Sequence, residues 1–136
     1  MSGQPLQRAL ALQQQAGSLG FDWPEIESLW DKLAEEIAEL RAATHISADA
    51  MEDELGDVLF MAVNLARRLG VDPSRALARS NAKFARRFEF VMAEAETLPP
   101  IGDAQRLDAM EARWQQAKQH ERRTGASPVQ CAPDQD

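Results

Sequence analysis

Eight acidic residues fall between Glu35 and Asp57, and two pairs among them share one spacing: Glu36 with Glu39, and Glu54 with Asp57, each three residues apart. On a helix, residues three apart stand one above the other on a single stripe of the surface. Two helices joined by a short turn pack antiparallel, so stripes of this kind can meet edge to edge. Four carboxylates would then share a small volume. Like charges at low effective dielectric repel by several kcal/mol unless a cation sits among them. Oxygen ligands with no histidine or thiol nearby select a hard divalent ion, Mg²⁺ or Mn²⁺. Acids on a helix are more commonly a solvated face, and Asp53, opposite the apolar side, reads that way. Glu36 and Glu54 instead lie on the margin of the apolar stripes.

Positive charge is supplied further along. Lys83 and Arg87 stand one turn apart on one face, either as an anion grip or as ordinary surface residues. Asn81 falls on the apolar stripe of the same segment, with Leu77, Phe84 and Phe88. A part-buried amide there needs partners, so it either ties down a turn or reaches a ligand. Lys32, four residues before Glu36, is either a helix-surface ion pair or a phosphate ligand. Trp114 is either core or a stacking platform for a base.

Composition removes other chemistries. The single cysteine, Cys131, sits in a polar tail, and two isolated histidines, His45 and His120, form no zinc-ligand pattern. With 22 acidic and 15 basic residues the net charge is −7, which disfavours nucleic acid polymers and acidic membrane surfaces. No apolar run approaches the roughly 20 residues that cross a bilayer, and the first ten residues lack a signal pattern, so a cytoplasmic protein is expected.

The elements that must hold these side chains all read as helices, with no alternating run that suggests a strand. At 136 residues and 44% hydrophobic content the chain suits one all-α domain. A first helix runs from about Pro5 to Gly17. Asp22 as N-cap with Glu25 makes a capping box, Phe21 and Ile26 form its staple, and a second helix starts near Trp23 and continues to about Ala43. A third spans about Ala50 to Leu69, with Met51, Leu55, Val58, Ala62, Leu65, Ala66 and Leu69 inward and Gly70 at its end. Phe60 and Val63 face the other way, and a helix apolar on two sides points to a partner subunit. A fourth starts at Pro73 behind the cap Asp72 and ends at Leu98-Pro99-Pro100. A fifth starts near Asp103 and carries Leu107, Met110 and Trp114. The domain is expected over residues 1–123, with residues 124–136 as a disordered tail.

Taken together, Glu35-Glu36-Ile37-Ala38-Glu39 and Glu54-Leu55-Gly56-Asp57 resemble the EExxE and ExxD signature of the all-α nucleoside triphosphate pyrophosphohydrolases. Gly20-Phe21-Asp22-Trp23-Pro24, Val63-Asn64-Leu65-Ala66-Arg67 and Asn81-x-Lys83-Phe84-x-Arg86-Arg87-Phe88 resemble the MazG branch, over roughly Leu6 to Lys118. That resemblance implies a helical bundle of about five helices whose core is completed in a homodimer. It implies hydrolysis of a nucleoside triphosphate to the monophosphate and pyrophosphate, with Mg²⁺ held by Glu36, Glu39, Glu54 and Asp57. It further implies Glu35 as general base, and Lys32, Asn81, Lys83, Arg87 and Trp114 around the nucleotide. Ala50 stands where some relatives have lysine. The competing readings are a narrower dUTP or phosphoribosyl-ATP pyrophosphohydrolase, and a non-catalytic helical interaction module.

Overall fold

The computed structural model describes residues 4–125. It contains five α-helices, α1 (Pro5–Ser18), α2 (Ile26–Ala43), α3 (Ala48–Leu69), α4 (Pro73–Val91) and α5 (Gln105–Thr124), with one 3₁₀ turn at Ala95–Thr97. No strand occurs among the described residues, and none of their helices is long and apolar enough to cross a membrane. The expected tail lies outside the described residues from position 126 onward, while Thr124 is still helical. Two compact units divide the chain, one through Ala76 and the other from Leu77.

In the first unit α3 is the central element, packed by α2 and by α1. Its start is set by Ser47, whose hydroxyl accepts from the Ala50 amide at 3.0 Å, and its end by Gly70 in the left-handed conformation at φ 73°. There the Val71 amide donates back to the Ala66 carbonyl at 2.8 Å, the closure that glycine allows without a Cβ clash. Leu29 of α2 is fully buried against Met61 and Leu65 of α3, with Ile26 and Leu33 around them. From α1, the buried Gln13 donates through Nε2 to the Phe60 carbonyl at 2.9 Å.

The loop before α2 departs from expectation. The helix begins at Ile26, with Glu25 extended in the cap position and no side-chain cap bond. Asp22 does not open it. Its carboxylate accepts from Arg67 Nη1 at 3.0 Å and Nη2 at 2.8 Å, and from Arg68 Nη1 at 3.4 Å. Two physical reasons account for this. Pro24 pushes Trp23 out of the helical region, so no helix can start there. A forked, partly buried charge pair also outweighs a cap bond worth about 1 kcal/mol. Arg68 completes the lock by donating to the carbonyls of Trp23 and Pro24. Gly17 leaves room for it, since a Cβ there would stand 3.1 Å from Arg67 Nη1.

The apolar faces of α3 also differ from the simple stripe. Val63, read as facing away, is buried at 2% exposure, whereas Leu55 and Leu69 are exposed at 47% and 54%. Contact with both α1 and α2 turns the covered face of α3 through more than one helical stripe, which a single-period pattern cannot show.

In the second unit α4 ends at Val91, about two turns before the expected stop. Arg113 of α5 donates to the Val91 carbonyl at 3.0 Å, which α4 leaves open, to the Glu94 carbonyl at 3.2 Å, and to the Thr97 hydroxyl. A cation on these C-terminal carbonyls satisfies groups the helix itself leaves open. At the start of α4, Asp72 caps as expected, accepting from the Ser74 amide at 3.0 Å.

The Asp22 lock yields a test that separates its two readings. Asn is as good a cap as Asp but cannot pair with arginine, so Asp22→Asn is expected to lower stability by about 1–3 kcal/mol, read as a lower Tm. An unchanged Tm would return Asp22 to a local capping role.

Candidate functional site

The four-residue turn Thr44–Ser47 sends α3 back along α2, and the register that buries Leu29 against Met61 and Leu65 brings Glu36 opposite Glu54 and Asp57. These three residues each place a carboxylate oxygen within 4.8 Å of the other two. Glu36 and Glu54 are half-buried, and each has one oxygen, Oε2, shielded from solvent with no hydrogen-bond partner. Asp57 is exposed. The fourth acid, Glu39, lies outside this tight group but is near enough to act on both glutamates and to hydrogen-bond Glu54 when one of them is protonated.

Electrostatics express the same crowding. Loss of water and then the charges of Glu39, Asp57 and Glu54 raise the Glu36 carboxyl above its usual value, with Lys32 opposing. Loss of water followed by Glu39, Asp57 and Asp53 does the same to Glu54. Shielded carboxylate oxygens without donors are costly, and most such groups in folded proteins are paired. A hard divalent cation satisfies all of these conditions at once. The donors are oxygens only, they are anionic, and they converge on one small volume.

Glu35, next to Glu36 in sequence, is exposed and turned away from the cluster by one helical step. Its partner is Lys32, at 3.4 Å. The sequence spacing had suggested Lys32 against Glu36 at four residues; the ion pair actually forms at three. With both side chains about half exposed, it is a weak contact from which either group is readily recruited.

The remaining candidates belong to the second unit. Lys83 is half-buried, and Asn81 is exposed rather than part-buried as its stripe suggested. Arg87 is held firmly: its Cζ lies 5.6 Å from the Trp114 ring centre, and Nε and Nη2 donate to Glu121 Oε1 at 3.1 and 2.9 Å. Trp114 also meets Phe84 at 5.4 Å between ring centres, and Phe84 stacks on Phe88 at 5.7 Å. Trp114 thus sits in an aromatic cluster with Phe84 and beside the Arg87 guanidinium. Glu121 was not singled out from the sequence. A signal was present, because Glu121 is seven residues after Trp114 and so sits on the apolar stripe of α5, an unusual place for an acid.

Comparison with known proteins identifies the family. The family model of the MazG nucleotide pyrophosphohydrolase domain matches residues 25–92, which contain the whole acidic cluster. A protein of Escherichia coli strain K12 named nucleoside triphosphate pyrophosphohydrolase is 39% identical over 121 residues, covering 85% of this chain and 45% of that protein. A Thermotoga maritima protein named nucleoside triphosphate pyrophosphohydrolase/pyrophosphatase MazG is 34% identical over 113 residues, covering 83% of this chain and 44% of its own length. This chain thus spans about half the length of the curated relatives it matches.

A carboxyl whose pKa is raised by folding contributes fully to stability below its unfolded value, here 4.5, and loses that contribution as pH rises through the raised value. Glu54→Gln is therefore expected to raise Tm at pH 8 in EDTA, with the difference vanishing toward pH 4. Adding Mg²⁺ or Mn²⁺ at pH 8 is expected to raise the wild-type Tm and to leave that of Glu54→Gln nearly unmoved. Thermal melts in the two conditions check both signs, and equal metal responses in the two proteins would refute the assignment of Glu54 as a ligand.

Proposed function

Since this chain belongs to the MazG nucleotide pyrophosphohydrolase family, we propose that it hydrolyses nucleoside triphosphates between the α and β phosphates, releasing the monophosphate and pyrophosphate. The observation that carries this reading is the convergence of Glu36, Glu54 and Asp57, two of them with shielded oxygens lacking any donor. Glu39 stands beside them, and the four acids together would hold Mg²⁺, with Mn²⁺ as a substitute. When bound there, the ion supplies Lewis-acid stabilisation of the charge that builds on the phosphates.

The chain's own residues do the rest. Water attacks the α phosphorus, the bond from that phosphorus to the bridging oxygen of the β phosphate breaks, and the electron pair leaves with pyrophosphate. Glu35 takes the proton from the attacking water. It suits that role because it is exposed, next to Glu36 in sequence and tied only loosely to Lys32. Lys32, Lys83 and Arg87 offset the negative charge of the phosphate oxygens, the usual requirement of phosphoryl-group chemistry. Trp114 offers an aromatic face near the nucleotide, and Asn81, exposed on α4, supplies an amide for the sugar or phosphate.

The assembly is proposed to be a homodimer. Trp30 and Ile37 of α2 and Leu59 and Phe60 of α3 are between 41% and 54% exposed, apolar surface that is unfavourable to leave open to water. A second copy covers such faces most simply, because self-association is the commonest way to bury them. Nucleoside triphosphates are met in the cytoplasm, the compartment we assign.

Incubation with each common NTP and dNTP, with and without Mg²⁺, tests the reaction. The expected products are monophosphate and pyrophosphate, only with the metal; diphosphate and orthophosphate would overturn the cleavage position. Glu35→Gln is expected to lower kcat about 10²–10⁴-fold, the usual worth of a general base, while keeping the metal-induced rise in Tm. Loss of that rise would make Glu35 a ligand instead.

A further inference from the structure

Glu121 is 6% exposed, an acid buried on the apolar stripe of α5 and hydrogen-bonded at both oxygens. Oε2 accepts from Arg86 Nε at 2.7 Å, while Oε1 accepts from Arg87 Nε at 3.1 Å and Nη2 at 2.9 Å. Burial by itself would raise this carboxyl, but the two arginines more than reverse that and keep it ionised. A buried ion pair is a poor source of net stability, because desolvation consumes most of the attraction. An apolar side chain on this stripe would hold α4 against α5 at less cost. The arrangement does something an apolar residue cannot, which is to fix the orientation of a guanidinium.

Arg87 shows the result. Glu121 takes its Nε edge, and the Trp114 ring lies 5.6 Å from Cζ. Free arginine side chains carry about 2 kcal/mol of rotamer entropy, most of which is already lost here. What remains is the end of the fork: no partner for Nη1 is found among the described residues. A planar donor held by one edge and open at the other is prepared for a second anion, and phosphate oxygens match the fork. One carboxylate against two arginines also leaves net positive charge in place.

We infer that Glu121 is a positioning residue, which acts through Arg87 by holding its guanidinium in the orientation that meets substrate phosphate. This rests on the reading of Arg87 as a phosphate ligand. The test is a double-mutant cycle in the full chain, with steady-state kinetics on ATP and Mg²⁺ and with inorganic tripolyphosphate as a competing probe. Glu121→Gln keeps the shape and removes the charge. It is expected to raise KM and the tripolyphosphate inhibition constant together, by about tenfold, with kcat affected less. In an Arg87→Ala background the same change is expected to add nothing. If Glu121→Gln fails to fold, Glu121→Asp takes its place in the cycle, retaining charge but falling short by one methylene, with the same expectation. An equal effect of the Glu121 change with and without Arg87 would reduce Glu121 to a structural contact. An unchanged KM beside a defective Arg87→Ala would overturn the positioning role alone, whereas an unaffected Arg87→Ala would overturn the phosphate reading and the inference together.

Discussion

Repulsion among carboxylates across the seam of α2 and α3 is the constraint around which the first unit is built. Glu36, Glu54 and Asp57 are forced together by the same register that buries Leu29 against Met61 and Leu65. The antiparallel pair cannot relieve one without disturbing the other, because sliding α2 by a turn would separate the acids and also empty the position of Leu29. Apolar burial of this kind is worth roughly 25 cal/mol per Å², enough for a few well-covered side chains to hold several acids in place. The raised carboxyls of Glu36 and Glu54 record the tension that remains. A fold that spends stability to gather charge has a use for a counter-ion, and that use carries the enzymatic reading.

Arginine does much of the positioning elsewhere. Arg67 and Arg68 tie the loop before α2 to the end of α3 through Asp22, and Arg113 donates to carbonyls where α4 stops. Hydrogen bonding from Arg67, against the effect of burial, holds Asp22 below the ordinary carboxylate range. In a chain this small, with few wholly buried side chains among the described residues, forked charge-assisted contacts fix loops that apolar packing leaves free. Arg87 uses the same chemistry with Glu121, and differs in keeping one end of its fork open.

The acidic motif, the helical class and the caps at Asp72 and Gly70 were legible in the chain itself, because each depends on neighbours within about one turn, where periodicity and cap chemistry operate. Asp22 misled for the same reason. Its spacing to Glu25 fits a capping box, but its true partner, Arg67, lies 45 residues away and no local pattern announces such a pair. Val63 was likewise misplaced: it is buried on α3, which packs against both α1 and α2, and one amphipathic stripe accounts for a single neighbour.

The sequence by itself therefore determined that acids recur at helical spacing on two neighbouring segments and that helices present them, since helical period and residue type are local properties. Tertiary structure alone decided which carboxylate oxygens lose their water, that Asp22 pairs with Arg67, and that Glu121 grips Arg87. Those outcomes depend on distances between segments far apart in the chain and on the solvent excluded between them, and both come into existence only when the helices pack.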